Sequence, residues 1–309
     1  MEEKEYKYMV SVRCFTFNQS KYILDALNGF VMQQTNFPYV VMVVDDASTD
    51  GEQEVIRKFV SEQFDTNDTS VAYEKETDYA HITYAQHKTN KNCYIVVLYL
   101  KENHYSQRKS KMPYLSEWRD YVKYEAICEG DDYWIHPQKL QMQVDFLEEN
   151  GEYSMCFHNA ITYSEFEKCN IDKFLLPRFS RIYSSKDLYS KGWFVPTASI
   201  LHRVKLDIIP NDIIKYVNEN CYLTGGDILM LLYFSSCGKF WYISENMSVY
   251  RFGVQGSATL RASGKKTHEH YLKLLAYTNK RLFNNKYLCF VIYRYVRYFI
   301  SKLIKKIVK

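Results

Sequence analysis

Two kinds of apolar run alternate along the chain. Met9-Val10-Ser11-Val12-Arg13-Cys14-Phe15 predicts a first strand. Tyr39-Val40-Val41-Met42-Val43-Val44 predicts a second, apolar without alternation, as in a strand covered on both faces. Between them lies the turn Thr16-Phe17-Asn18-Gln19, and Ser20 stands where it can cap a helix with Ile23, Leu24, Leu27, Phe30 and Val31 on its buried side. The second strand ends in Asp45-Asp46-Ala47-Ser48-Thr49-Asp50-Gly51, and a helix follows to about Val60. This strand-helix-strand-helix opening, with polar strand ends, predicts a parallel sheet. Cys93 to Leu100 and Tyr121 to Cys128 predict further strands, Pro113 to Asp120 a helical piece, and Gln138 to Glu149 a helix with Leu140, Val144 and Leu147 on one face. From Val71 to Asn92 the two periods mix and no element is assigned.

Beyond Asn150 the pattern predicts a strand from Tyr153 to Tyr163, a short helix from Ser185 to Ser190 and a strand from Phe194 to His202. Gly225-Gly226-Asp227 opens a helix that Gly238 ends, and Lys239–Ile243 and Met247–Phe252 read as two short strands. From His270 onward there is no Asp or Glu. Ile292, Val296, Phe299, Ile300, Leu303 and Ile307 share one helical face there, with Arg294, Lys302, Lys305 and Lys309 opposite. Such a basic amphipathic helix is either a membrane-surface or partner-docking element, or a helix packed on its own domain with a solvated basic face.

Composition narrows the class. At 309 residues the chain can bury a sizeable core, and 47% hydrophobic with 25% charged residues is ordinary for a globular protein. The 29 tyrosines fit either a sugar-stacking surface or a compositional bias. The eight cysteines show no C-x-x-C pair, which argues against a zinc site and for a reducing compartment. The start, Met1-Glu2-Glu3-Lys4-Glu5, does not read as a signal peptide, and no apolar run approaches the roughly 20 residues of a membrane span. A net charge of +4 without a nucleic-acid motif argues against a nucleic-acid partner.

The densest chemistry is Cys128-Glu129-Gly130-Asp131-Asp132-Tyr133-Trp134, where three carboxylates follow the end of a predicted strand. Ligands bind at strand ends in open α/β sheets. Adjacent carboxylates repel and raise each other's pKa, and a divalent cation offsets that repulsion. A solvated acidic turn is the plain alternative.

Four segments together resemble the family 2 glycosyltransferases of the GT-A fold. They are Val10-Ser11-Val12-Arg13-Cys14-Phe15-Thr16-Phe17-Asn18, Val43-Val44-Asp45-Asp46-Ala47-Ser48-Thr49-Asp50, Glu129-Gly130-Asp131-Asp132-Tyr133-Trp134, and Gly225-Gly226-Asp227 with Tyr250-Arg251. The resemblance implies an α/β fold with a Rossmann-like, mostly parallel central sheet flanked by helices. It implies a nucleotide-sugar-binding half over 1–150, an acceptor-binding half over 151–265, and a basic amphipathic helical tail over 266–309. Thr16, Asn18 and Asp45 or Asp46 would contact the nucleoside of a nucleotide-diphosphate sugar. Asp131, with Glu129, would serve Mn2+ or Mg2+ on the donor diphosphate, and Arg108 stands in the donor-phosphate region, where a solvated loop charge is the alternative. Asp227 would be the general base for inverting transfer to a hydroxyl of a glycan or lipid-linked acceptor. The implied place of work is the cytoplasm, on the inner face of a membrane. Trp134 and Trp193 either stack on sugars or pack.

The sequence departs from the family at two places. Glu129 replaces the first acid of the D-x-D motif, and Phe252-Gly253-Val254-Gln255 lacks the histidine that many relatives carry after Tyr-Arg. A nucleotidyltransferase would share the sheet and metal logic but shows a glycine-rich basic loop after the first strand, absent between Phe15 and Ser20. A non-catalytic sugar-binding or scaffold protein would not need Asp131 and Asp227 together.

Overall fold

The computed structural model describes residues 6–206, 209–222, 226–255, 257 and 265–307. Its elements in chain order are β1 (Tyr8–Thr16), α1 (Ile23–Val31), β2 (Tyr39–Asp45), α2 (Glu52–Gln63), β3 (Tyr73–Glu76), β4 (Ala80–Gln86), β5 (Cys93–Leu100), α3 (Ser116–Arg119), β6 (Val122–Ile127), β7 (Tyr133–Trp134) and α4 (Lys139–Glu149). There follow β8 (Tyr153–Ser164), β9 (Cys169–Ile171), β10 (Arg181–Tyr183), α5 (Ser185–Lys191), β11 (Leu201–Arg203), α6 (Asn211–Asn220), α7 (Gly226–Cys237), β12 (Lys239–Phe252), α8 (Lys265–Phe283) and α9 (Leu288–Ile307).

One mixed sheet runs through the whole chain in the order β10-β12-β8-β11-β6-β1-β2-β5-β4-β3, with β7 on β12 and β9 on β8. The apolar runs of β1, β2 and β5 pair in parallel, and β6 joins β1 in parallel on its other side. Every residue of β2 is buried, as its unbroken apolar run requires. On one face Ile23, Leu27 and Phe30 of α1, Ile56 and Val60 of α2, and Leu140 and Val144 of α4 pack on Val10, Val12, Val41 and Val43. On the other face Leu115 and Trp118 cover Val40, Met42 and Leu98. A second apolar core gathers α5, α7 and α8 around Phe157, Phe234 and Phe240. Because β1 leads to β2 on one side and pairs β6 on the other, the crevice between the ends of β1 and β6 is the point where strand order reverses.

The unassigned stretch from Val71 to Asn92 contains the hairpin β3–β4, antiparallel to β5. Its β3 residues are all exposed, so the hydrophobic pattern there is weak. Phe194 to His202 is not one strand: Pro196 leads into a helical turn at Thr197–Ser199, and only Leu201–Arg203 pairs, antiparallel between β6 and β8. The two short strands expected near the end are a single strand, β12, whose irregular register around Asn246 hides its continuity in the sequence.

The tail is a pair of helices, α8 and α9. Val291 is buried, while Ile292, Val296, Phe299, Ile300 and Leu303 each stand about half exposed, as does Ile304. Arg294 turns inward: its Nε donates to Tyr189 O at 2.9 Å and its Nη2 to Ser190 O at 3.0 Å, near the end of α5. The apolar stripe thus faces outward, and Arg294 belongs to the packed side rather than to a solvated basic face. Lys309 and the side chains of Lys305 and Ile307 lie outside the described residues, as does Gly225.

Candidate active site

The parallel register brings the ends of β1, β2 and β6 side by side, with Thr16 opposite Asp45. Two turns leave there and are sewn together by one buried acid that sequence reasoning passed over, Glu52. Its carboxylate accepts from the Thr16 hydroxyl, from Gln19 N at 2.8 Å and from Ser48 Oγ at 2.8 Å. Its position as first residue of α2, straight after Asp50-Gly51, was the available signal. Asn18 is exposed and takes a positive φ of 54°, which asparagine tolerates better than most residues. Its Oδ1 accepts from Thr49 N at 2.8 Å and its N donates to Ser48 Oγ at 2.9 Å. Ala47, with φ 61°, turns the chain sharply just after the acid pair.

The structure gives the two neighbouring acids different surroundings. Asp45 Oδ1 accepts from Ser48 N at 3.1 Å and Gln53 Nε2 at 2.6 Å, while its buried Oδ2 has no partner among the described residues. Burial pushes the Asp45 carboxyl up from its ordinary range. Asp46 is saturated: it accepts from His104 N at 2.7 Å, Tyr105 N at 3.0 Å and Lys111 Nζ at 3.0 Å. Asp46 therefore fastens the basic loop 103–111 to the sheet, and Asp45 keeps the spare acceptor.

Across the crevice, Gly130 N donates to Phe15 O at 3.3 Å. A Cβ at Gly130 would collide with the Thr16 hydroxyl and with Gln19 Oε1, so only glycine lets the acid turn approach this closely. Arg251 of β12 ties the turn from the other side. Its N donates to Asp132 Oδ1 at 2.9 Å, its Nη1 to Asp131 O at 2.8 Å, and its Nη2 pairs with Asp25 of α1. Asp131 and Asp132 are nearly buried, at 9% and 5% exposure. Lost hydration raises both carboxyls, and Asp131 raises Asp132 further; Arg251 opposes both shifts. Glu129 is open to solvent on the cleft floor. Crowding by protein, then the charges of Asp131 and Asp227, push its carboxyl up to about 7, with Arg13 and Lys111 pulling the other way. Water at its exposed side tempers that shift.

The influence of Asp227 on Glu129 places the start of α7 beside the acid turn. Asp227 Oδ1 accepts from Ile228 N at 2.9 Å. The helix N-terminus was expected to dominate its ionisation; instead burial raises its carboxyl, outweighing the backbone N–H and Thr197. A raised carboxyl is a better proton acceptor once ionised. Arg108 is exposed, takes φ 56°, and lies over the Tyr222 ring at 4.8 Å. Lys111, which the sequence did not single out, lies between Asp46 and the Phe15 ring. Trp134 is core: it is 1% exposed, and its Nε1 donates to Ala198 O at 2.8 Å. Trp193 instead meets Phe174, ring to ring, at 5.3 Å. Among the described residues no three His, Cys, Asp or Glu side chains converge as a metal cage. Glu129 and Asp131 fit a cation that takes one or two carboxylates and fills its remaining positions with phosphate oxygens and water.

Residues 11–92 match the family model of glycosyl transferase family 2. The fold is GT-A. The chain superimposes on S. aureus TarS 1-349 in complex with UDP-GlcNAc with a TM-score of 0.53 at 15% identity, covering 89% of this chain and 67% of that one. A further crystal structure of S. aureus TarS 1-349 gives 0.53 at 14% identity, covering 93% and 71%. Uncharacterized proteins of Mycobacterium tuberculosis and Mycobacterium bovis are 27% identical over 282 residues, 89% of this chain and 63% of theirs. The chain thus spans under two thirds of the length of these curated relatives. The resemblance read from the four segments is borne out, as is the mostly parallel sheet flanked by helices. In this GT-A domain the matched residues 11–92 carry Thr16, Asn18, Asp45 and Asp46, and the acid turn and Asp227 lie outside the matched range.

Proposed function

We propose that this chain is a metal-dependent, inverting glycosyltransferase that uses a nucleotide-diphosphate sugar. The observation that supports it best is convergence: Thr16 and Asp45 from the matched segment, Glu129 and Asp131 across the crevice, and Asp227 beside Glu129. Asp45, through its spare oxygen, accepts a hydrogen bond from a base N–H or a ribose hydroxyl. Asp46, Lys111 and Arg251 act as positioning residues, holding the basic loop and the acid turn. A bound Mn2+ or Mg2+ at Glu129 and Asp131 would supply Lewis-acid stabilisation of the leaving nucleotide. Asp227 takes the proton from the acceptor hydroxyl as its oxygen bonds to the anomeric carbon. The bond from that carbon to the diphosphate breaks, the nucleotide leaves with the bonding pair, and the configuration inverts.

A thermal-shift screen of nucleotide sugars, with and without Mn2+ or Mg2+, tests this reading. One donor should raise the unfolding midpoint more with metal than without, since a ligand at 100 times its Kd stabilises by about 2.7 kcal/mol. Asp131→Asn should remove the metal-dependent part while leaving the unliganded midpoint near wild type. Metal dependence unchanged by Asp131→Asn would take Asp131 out of the metal site.

The reading includes an acceptor presented at a membrane surface. No helix among the described residues is long and apolar enough to cross a bilayer. The outward apolar stripe of α9, with basic residues along the same tail, suits an interfacial helix on an anionic lipid surface. Ile300→Glu with Leu303→Glu should weaken binding to phosphatidylglycerol-containing vesicles about tenfold or more, equivalent to about 1.4 kcal/mol. Equal sedimentation of wild type and variant with the vesicles would remove the lipid surface from the reading.

A further inference from the structure

The outer part of the sheet holds polar chemistry that the proposed transfer step does not use. β8 and β12 run in parallel, with Asn159 beside Asn246 and Thr162 beside Tyr250. Residues 170–174 close over them and leave a cleft of 220 Å³, lined by Asn159, Thr162, Asn170, Asp172, Lys173 and Asn246 among others. That is smaller than the roughly 300–1,000 Å³ of pockets for drug-sized ligands, and suits one small unit.

Two of its lining side chains carry a buried polar atom with no hydrogen-bond partner among the described residues: Asn159 Oδ1 and Thr162 Oγ1, the latter on a residue 2% exposed. Trp193 Nε1, close by, is in the same condition. Native structures leave few such atoms without a water, ion or ligand to satisfy them. Lys173 sits among aromatic rings, its Nζ 3.9 Å from the centre of Phe252, 4.7 Å from Tyr250 and 5.8 Å from Trp193, and donates a long bond to Tyr250 OH at 3.4 Å. Phe174 packs edge-on against both Trp193 and Tyr250. The cleft therefore offers hydrogen-bond acceptors and donors of both neutral and charged kinds beside aromatic walls. Asp172, next to Lys173 in the lining, disfavours a phosphate as occupant.

The cleft is coupled to the acid turn by the sheet itself. Tyr250, under Lys173, is followed at once by Arg251, whose N–H holds Asp132.

We propose that this cleft is an acceptor subsite that binds one sugar ring, with Thr162, Asn159 and Lys173 meeting its hydroxyls and Trp193 and Phe174 forming its apolar wall. The proposal rests on the reading that the chain transfers sugars, and adds where a neighbouring unit of the acceptor is held.

Isothermal titration of the full chain with the methyl glycosides of glucose, galactose, mannose and N-acetylglucosamine tests it. At least one glycoside should bind saturably. Thr162→Val and Lys173→Met should each weaken that binding about tenfold or more. Thr162→Val removes an unpartnered buried hydroxyl, so its unfolding midpoint should equal or exceed that of wild type. Both variants should keep full protection by the nucleotide sugar found in the thermal screen. Binding that neither substitution alters would overturn the subsite, and so would no saturable glycoside binding by a chain that a nucleotide sugar still protects. If neither nucleotide sugars nor glycosides bind, the transferase reading falls and the subsite with it.

Discussion

The two sides of the cleft satisfy their polar groups in different ways. On the donor side, at the ends of β1, β2 and β6, Glu52, Asp46 and Arg251 bind one another's loops through dense hydrogen bonding. Among the described buried atoms of those turns, Asp45 Oδ2 alone is left without a partner. On the β8–β12 side, Asn159, Thr162, Trp193 and Ser248 all carry such atoms. A fully satisfied network is rigid and has one geometry, whereas unsatisfied atoms are capacity held for something else. The difference teaches that the donor side is built to hold one nucleotide in one pose. The acceptor side is completed only by what it binds.

The sharpest break in that comparison is at Asp227, where the two sides meet. Asn caps a helix nearly as well as Asp but takes no proton. Asp227→Asn should therefore lower turnover by about 10²–10⁴-fold with donor affinity unchanged. Single-turnover rates and donor titration on one preparation check it, and retained turnover would leave Asp227 a helix cap.

A smaller effect separates Asp45 from Asp46. Asp45→Asn turns the spare acceptor into a donor, and nucleotide-sugar affinity should fall about tenfold, or about 1.4 kcal/mol. Asp46→Asn strips Lys111 and one backbone N–H of their acceptor, which should cost about 1–3 kcal/mol of stability. Its effect on donor affinity should be the lesser of the two. Calorimetry for affinity and urea unfolding for stability decide the pair; the reverse ranking would make Asp46 the nucleoside ligand.

The mildest effect is at Glu129. Its folded-state carboxyl is raised to about 7 from an ordinary 4.5. A raised group contributes stability that is present below pH 4.5 and is lost as pH rises through 7. Glu129→Gln should therefore raise the unfolding midpoint relative to wild type at about pH 8, with the gap closing toward about pH 5. A gap independent of pH would mean that Glu129 is not held against its neighbours' charge.

Much of this arrangement was legible in the chain. The strands β1, β2, β5 and β6 announce themselves because both faces are covered, so their apolar runs are unbroken. The acid turn and Asp45-Asp46 stand out as polar punctuation at the ends of such runs. What stayed hidden depends on partners remote in sequence. Nothing local distinguishes Asp45 from Asp46, because the distinction is made by backbone N–H groups 58 and 59 residues away. The orphaned atoms of Asn159 and Thr162 follow from pairing with β12, and β12 itself looked like two pieces because its register slips near Asn246. The direction faced by α9 was likewise set by Arg294 reaching into α5, against the usual rule that the apolar stripe turns inward.

The unbroken strand β12 works as a ruler. Tyr250 marks the proposed acceptor subsite and Arg251 fixes the acid turn, one residue apart on a pleated strand that advances about 3.3 Å per residue. A strand held by neighbours on both sides stretches little, so the span between the anchored unit and the reacting hydroxyl is set by backbone geometry rather than by a mobile loop. Such an enzyme would choose among acceptors by the distance between two of their sugars, and a chain with the right residues at the wrong spacing would be turned away.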